Sequence, residues 1–173
     1  MRKLTMLVVV GLLLGLVAVP VSAGHDRPFK AKANLVSSSE PTFIDLCGDP
    51  DVGFLGVREV WTGTATHLGR FYEHTTLCLD LSGVPPFEPQ PQGPPLIPFK
   101  VYGEFVAANG DTVSFEVENG VFNPLTCEIT NGGFEVTGGT GRFDGAQGSG
   151  MTAFVRDEEC NASALRHTGK LSY

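Results

Sequence analysis

After residue 23, apolar and polar positions alternate along most of the chain. Phe29, Ala31, Ala33 and Leu35 alternate with polar partners, Val57 to Thr66 is rich in β-branched residues, and Phe71 to Leu81 alternates again. A period of two sends successive side chains to opposite faces of an extended backbone, so each run predicts a strand with one buried face. Phe99 to Ala107 and Thr112 to Glu118 form the clearest hairpin, joined by Asn109-Gly110, and Asn119-Gly120 predicts the next turn. Further strands are expected near Phe122 to Thr130, Gly133 to Thr137, Ala146 to Arg156 and Ser163 to Leu171. No stretch after residue 23 keeps a 3.6-residue period long enough for a helix. About eight short antiparallel strands with tight turns predict an all-β fold, a barrel or a sandwich.

The stretch Val136 to Gly150, VTGGTGRFDGAQGSG, decides for a single closed or nearly closed antiparallel barrel. Gly138, Gly139, Gly141 and Gly145 form its turn motif: without Cβ, the backbone reaches φ > 0 and reverses tightly. Arg142 and Phe143 are expected on opposite sides of the following strand, where Ala146, Gly148 and Gly150 leave one face nearly bare. Either large side chains from facing strands pack onto that face at a barrel corner, or it leaves room for a ligand. A phosphate-binding loop is excluded, because no Gly-Lys-Ser/Thr opens a helix here.

Residues 83–98, GVPPFEPQPQGPPLIP, hold more than half of the 12 prolines and cannot join a sheet interior. An exposed loop of polyproline character is expected, either an ordinary surface insertion or a docking segment.

At the amino end, Arg2 and Lys3 precede an apolar run from Leu7 to Val19, followed by Val21-Ser22-Ala23. This pattern predicts a secretory signal over residues 1–23, a mature chain from near Gly24, and a secreted, extracellular or periplasmic protein. The run is too short to span a bilayer comfortably, and no stable membrane insertion is expected after cleavage. Residues 24–173 then make one domain. Loss of Arg2 and Lys3 lowers the 12 basic residues to 10 against 19 acidic ones, a net charge of about −9, which disfavours nucleic acid and anionic membranes.

Cys47, Cys78, Cys127 and Cys160 in an exported chain predict two disulfides. Pairing Cys47 with Cys78 and Cys127 with Cys160 closes two loops of about thirty residues, each stabilising by roughly 2–4 kcal/mol. A zinc site is disfavoured, since no CxxC or HxxxH pair is present, and neither a metal nor a cofactor is expected.

The glycine knot, together with Gly63-Thr64-Ala65-Thr66-His67-Leu68-Gly69-Arg70-Phe71 and Asn109-Gly110-Asp111-Thr112, resembles exported bacterial proteins with an allene-oxide-cyclase-like barrel. Plant dirigent proteins have a similar knot. The resemblance spans about residues 55 to 156 and implies an eight-stranded antiparallel barrel of calycin type, whose plant members act on hydrophobic small molecules held inside. It carries no active residue onto a numbered position, and Asp144 stands where the bacterial relatives usually have a small residue.

Candidate chemistry therefore comes from strand parity. With Trp61 facing inward, Glu59, Gly63, Ala65 and His67 share its face, and Phe71, Glu73 and Leu77 face inward on the next strand. Keeping both sets on one face requires an odd loop around Leu68-Gly69-Arg70, with Gly69 at φ > 0. Glu59, Glu73 and His67 become the candidate catalytic residues, because a carboxylate in an apolar barrel has a raised pKa. The plainer alternative pairs the glutamates with Arg58, Arg70 or Arg142, or leaves them at strand ends in water. Trp61, Phe71, Phe105, Phe115 and Phe143 are the candidate ligand contacts. His25, His74 and His167 read as surface residues. Asn161-Ala162-Ser163 fits a glycosylation sequon, unused if the source is bacterial.

Three function classes follow. A secreted barrel binding a small apolar molecule is favoured over an isomerase- or cyclase-like enzyme using Glu59 or Glu73, and over an interaction module with a solid barrel and a docking proline loop.

Overall fold

A computed structural model of the chain describes residues 25–49, 51, 53–83, 96–130 and 132–173. The expected signal segment 1–23 and most of the proline-rich stretch 83–98 lie outside the described residues. Within them the chain forms strands β1 (Arg27–Ser38), β2 (Phe54–Ala65), β3 (Gly69–Asp80), β4 (Ile97–Ala107), β5 (Thr112–Asn123), β6 (Glu128–Thr130), β7 (Gly133–Gly139), β8 (Gln147–Arg156) and β9 (Ala162–Ser172). They run antiparallel in the order β4-β3-β2-β1-β9-β8-β7-β5, and pairing of β4 with β5 closes the ring. The barrel thus has eight strands, with β6 attached to β5 outside the ring.

Alternation explains each wall. In β1, Phe29, Ala31 and Ala33 are buried while Lys30, Lys32 and Asn34 face out. The inward phenylalanines fill the middle of the barrel: Phe105 stacks on Phe115 with ring centres 4.7 Å apart and meets Phe71 and Phe29 edge-on at 5.3 and 5.6 Å. Each such buried ring stabilises by roughly 1.5–3 kcal/mol, so this plug supplies much of the drive to close the sheet.

The two ends differ. At one end the glycine knot turns the chain, with φ of 60° at Gly141 and 71° at Gly145. Here Arg142 and Phe143 belong to a 3-10 turn, Gly141–Phe143, not to the following strand. That turn drives Phe143 inward under Tyr173, with ring centres 4.8 Å apart, and leaves Arg142 to pair with Asp111 at 3.5 Å. Leu68, from the β2–β3 turn, is buried too. This turn has three residues, since Ala65 lies opposite Gly69, and the odd count keeps Trp61 and Phe71 on one face.

The nearly bare face of β8 is an example of close packing. A Cβ on Gly150 would sit 2.7 Å from the Phe134 ring and collide with the Thr168 carbonyl, so a large facing side chain takes up the space.

Two turn assignments differ from the pattern. Asn119-Gly120 is not a turn, because β5 runs on to Asn123; Asn119, at φ 57°, makes a bulge opposite Phe99–Val101, and the Phe99 ring covers Gly120. The expected strand Phe122 to Thr130 is split: Pro124 cannot donate to the ladder, β5 ends, and a turn ending at Cys127 leads into β6.

Both disulfides form as expected and sit at the end away from the knot. Cys47–Cys78 ties the β1–β2 connection to β3, and Cys127–Cys160 joins the β5–β6 and β8–β9 turns.

Candidate functional site

Between the phenylalanine plug and the disulfide end, the barrel is not filled. A cavity of about 180 Å³ lies there. Its wall is aliphatic and aromatic: Leu77 and Leu79 from β3, Ile97, Phe99 and Val101 from β4, Val117 and Phe122 from β5, Ile129 from β6, Phe154 from β8 and Leu165 from β9.

Beneath this wall, polar side chains arrive as cross-strand neighbours. Glu59 lies opposite Thr75, Trp61 opposite Glu73, and Thr152 opposite His167. His167 is 1% exposed, and its Nε2 lies 3.1 Å from the Glu73 carboxylate, also 1% exposed. Nδ1 lies 2.8 Å from the Thr152 hydroxyl, so both ring nitrogens are engaged. Strands β2 and β1 separate Glu73 from His167 in the ring, and their inward positions include Gly63, Ala31 and Ala33. Residues this small leave the two long side chains room to meet.

Glu59 is held differently. One of its oxygens accepts from Trp61 Nε1–H at 3.2 Å and from the Thr75 hydroxyl at 3.3 Å. Burial pushes its carboxyl above the usual value of 4.5; these hydrogen bonds and the charge of Arg156 pull it back, and Glu73 adds to the rise. Arg156 ends β8 on the cavity wall. Its guanidinium lies 5.0 Å from the centre of the Phe122 ring and 5.3 Å from that of Phe154, and Nη1 donates to the Cys160 carbonyl at 2.6 Å. Burial lowers its pKa, opposed by Glu59.

Of the candidates from parity, Glu59, Glu73, Trp61 and Phe115 line this cavity. Phe71 and Phe105 belong to the plug below it, and Phe143 seals the knot end. His67 lies in the β2–β3 turn at that far end, its Nε2 3.1 Å from the Pro28 carbonyl. The glutamates do not take Arg58, Arg70 or Arg142 as partners; Glu73 meets His167, and Arg142 meets Asp111.

His167 is not a surface residue. Strand β9 alternates Leu165, His167, Gly169 and Leu171 on its inward face, and this parity, readable in the sequence, places the imidazole inside. Thr75, Thr152 and Arg156 carry no signal in the sequence, because a threonine or an arginine on a strand forms no motif. Among the described residues, no group of three or more His, Cys, Asp or Glu side chains is placed to hold a metal ion. Among the same residues, no helix is long and apolar enough to cross a membrane.

No protein-family model matches the chain, and no curated protein matches it in sequence.

Proposed function

We propose that this protein is an exported binding barrel that holds one small, largely apolar molecule in the cavity at its disulfide-bonded end. The observation that carries the reading is the cavity itself: an apolar wall above a few fixed polar groups, the usual composition of a ligand site. Size narrows the ligand. Cavities of roughly 150 Å³ accept benzene, whereas drug-sized ligands occupy roughly 300–1,000 Å³, so about 180 Å³ fits one ring or a short chain. The likeness of the glycine knot to allene-oxide-cyclase-like and dirigent-like barrels supports the same reading, and the signal-like residues 1–23 with two disulfides support export.

Trp61 is the single tryptophan and lines the cavity, so it reports occupancy directly. Titration with toluene is expected to change its emission saturably; a flat titration overturns the reading.

One observation favours a second reading, an isomerase- or cyclase-like enzyme. Glu59, its carboxyl pushed up by burial, stands in an apolar cavity, where a carboxyl can serve as an acid or base. Turnover of a small unsaturated or epoxide probe that is lost in Glu59→Gln, with toluene binding retained, would select this reading.

A further inference from the structure

Resting on the binding reading above, we propose that the ligand is a small monocarboxylate, its apolar body in the cavity and its carboxylate on the Arg156 guanidinium. The argument starts from what Arg156 lacks. Its Nε–H is buried and meets no acceptor among the described residues. A buried donor left unmet is costly and rare, and it calls for a missing partner. Among the described residues Arg156 forms no salt bridge, and the charge that acts on it, that of Glu59, does so without direct contact.

The surroundings exclude the easy answers. Aromatic rings, Phe122 and Phe154, stand beside the guanidinium, and its one acceptor among the described residues is the Cys160 carbonyl. Glu59 acts on Arg156 through its charge without forming a salt bridge, its Oε2 being engaged by Trp61 and Thr75. A cation on the wall of an apolar cavity, with an N–H in reserve, is suited to an anion that brings its own apolar body. Carboxylate matches the planar guanidinium fork, which can offer it two parallel N–H···O bonds. The cavity limits the body to about one ring or a short chain.

Three probes of similar size test this on the whole chain: benzoate, its neutral counterpart benzamide, and toluene. Binding is read by Trp61 emission, and the Arg156 Nε–H resonance is followed by ¹H–¹⁵N NMR. Benzoate is expected to bind at least tenfold more tightly than benzamide and to shift the Arg156 Nε–H signal. In Arg156→Gln the preference for benzoate over benzamide should vanish. Should that variant fail to fold, the wild-type comparison and the Nε–H shift decide alone. Toluene binding with benzoate no tighter than benzamide would overturn the carboxylate inference and leave the binding reading standing. Failure of all three probes would overturn both.

Discussion

The imidazole of His167, on the last strand, lies 3.1 Å from the carboxylate of Glu73, on the third, with both side chains sealed from solvent. The pair crosses the barrel beneath the cavity and makes part of its floor. Removing one member leaves the other buried and unpaired. Glu73→Ala is therefore expected to cost about 3–5 kcal/mol in urea unfolding, and the double replacement Glu73→Met with His167→Phe less than that single change. A double variant weaker than either single one would contradict this account of the pair.

Glu59 gives a pH signature. Its folded pKa lies above 4.5, so below 4.5 it is protonated in both states and its full contribution to stability is present. As pH rises through the folded value, the unfolded chain ionises freely while the native one resists, and that stability is lost. The difference in unfolding free energy between Glu59→Gln and wild type should shift in favour of the variant above pH 4.5 and then level off. Parallel curves from acid to neutral pH would show that burial does not act on this carboxyl.

Packing against the bare face of β8 sets a third expectation. Gly150→Ala places a methyl group 2.7 Å from the Phe134 ring and against the Thr168 carbonyl, so thermal unfolding should report a loss of about 1–3 kcal/mol. A change below about 0.5 kcal/mol, ordinary for a surface site, would mean that the strand is not pressed as described.

Cys127–Cys160 closes a loop of 33 residues at the end away from the glycine knot. Replacing both cysteines by serine is expected to cost about 2–4 kcal/mol by denaturant unfolding.

Alternation made the barrel legible, because parity in β1, β2 and β3 is clean and the knot has few other uses. It failed where backbone chemistry has two solutions. Asn119-Gly120 suits a tight turn and a bulge equally well, and only the Phe99 ring over Gly120 decides between them. The site was half legible. Glu59, Glu73 and Trp61 follow from one strand pair, but His167, which meets Glu73, Thr152, which meets His167, and Arg156, whose charge acts on Glu59, come from strands distant in sequence. No local pattern states that only β2 and β1 will separate β9 from β3 in the ring, so the imidazole that meets Glu73 emerges only with the closed topology.

The central claim is that the cavity takes a ligand, and calorimetric titration with toluene of the wild type and of Val117→Phe, a substitution that fills the cavity from its wall, tests it most directly. The account predicts one saturable site in the wild type and none in the variant. No heat of binding in the wild type, or equal binding in both, would contradict it.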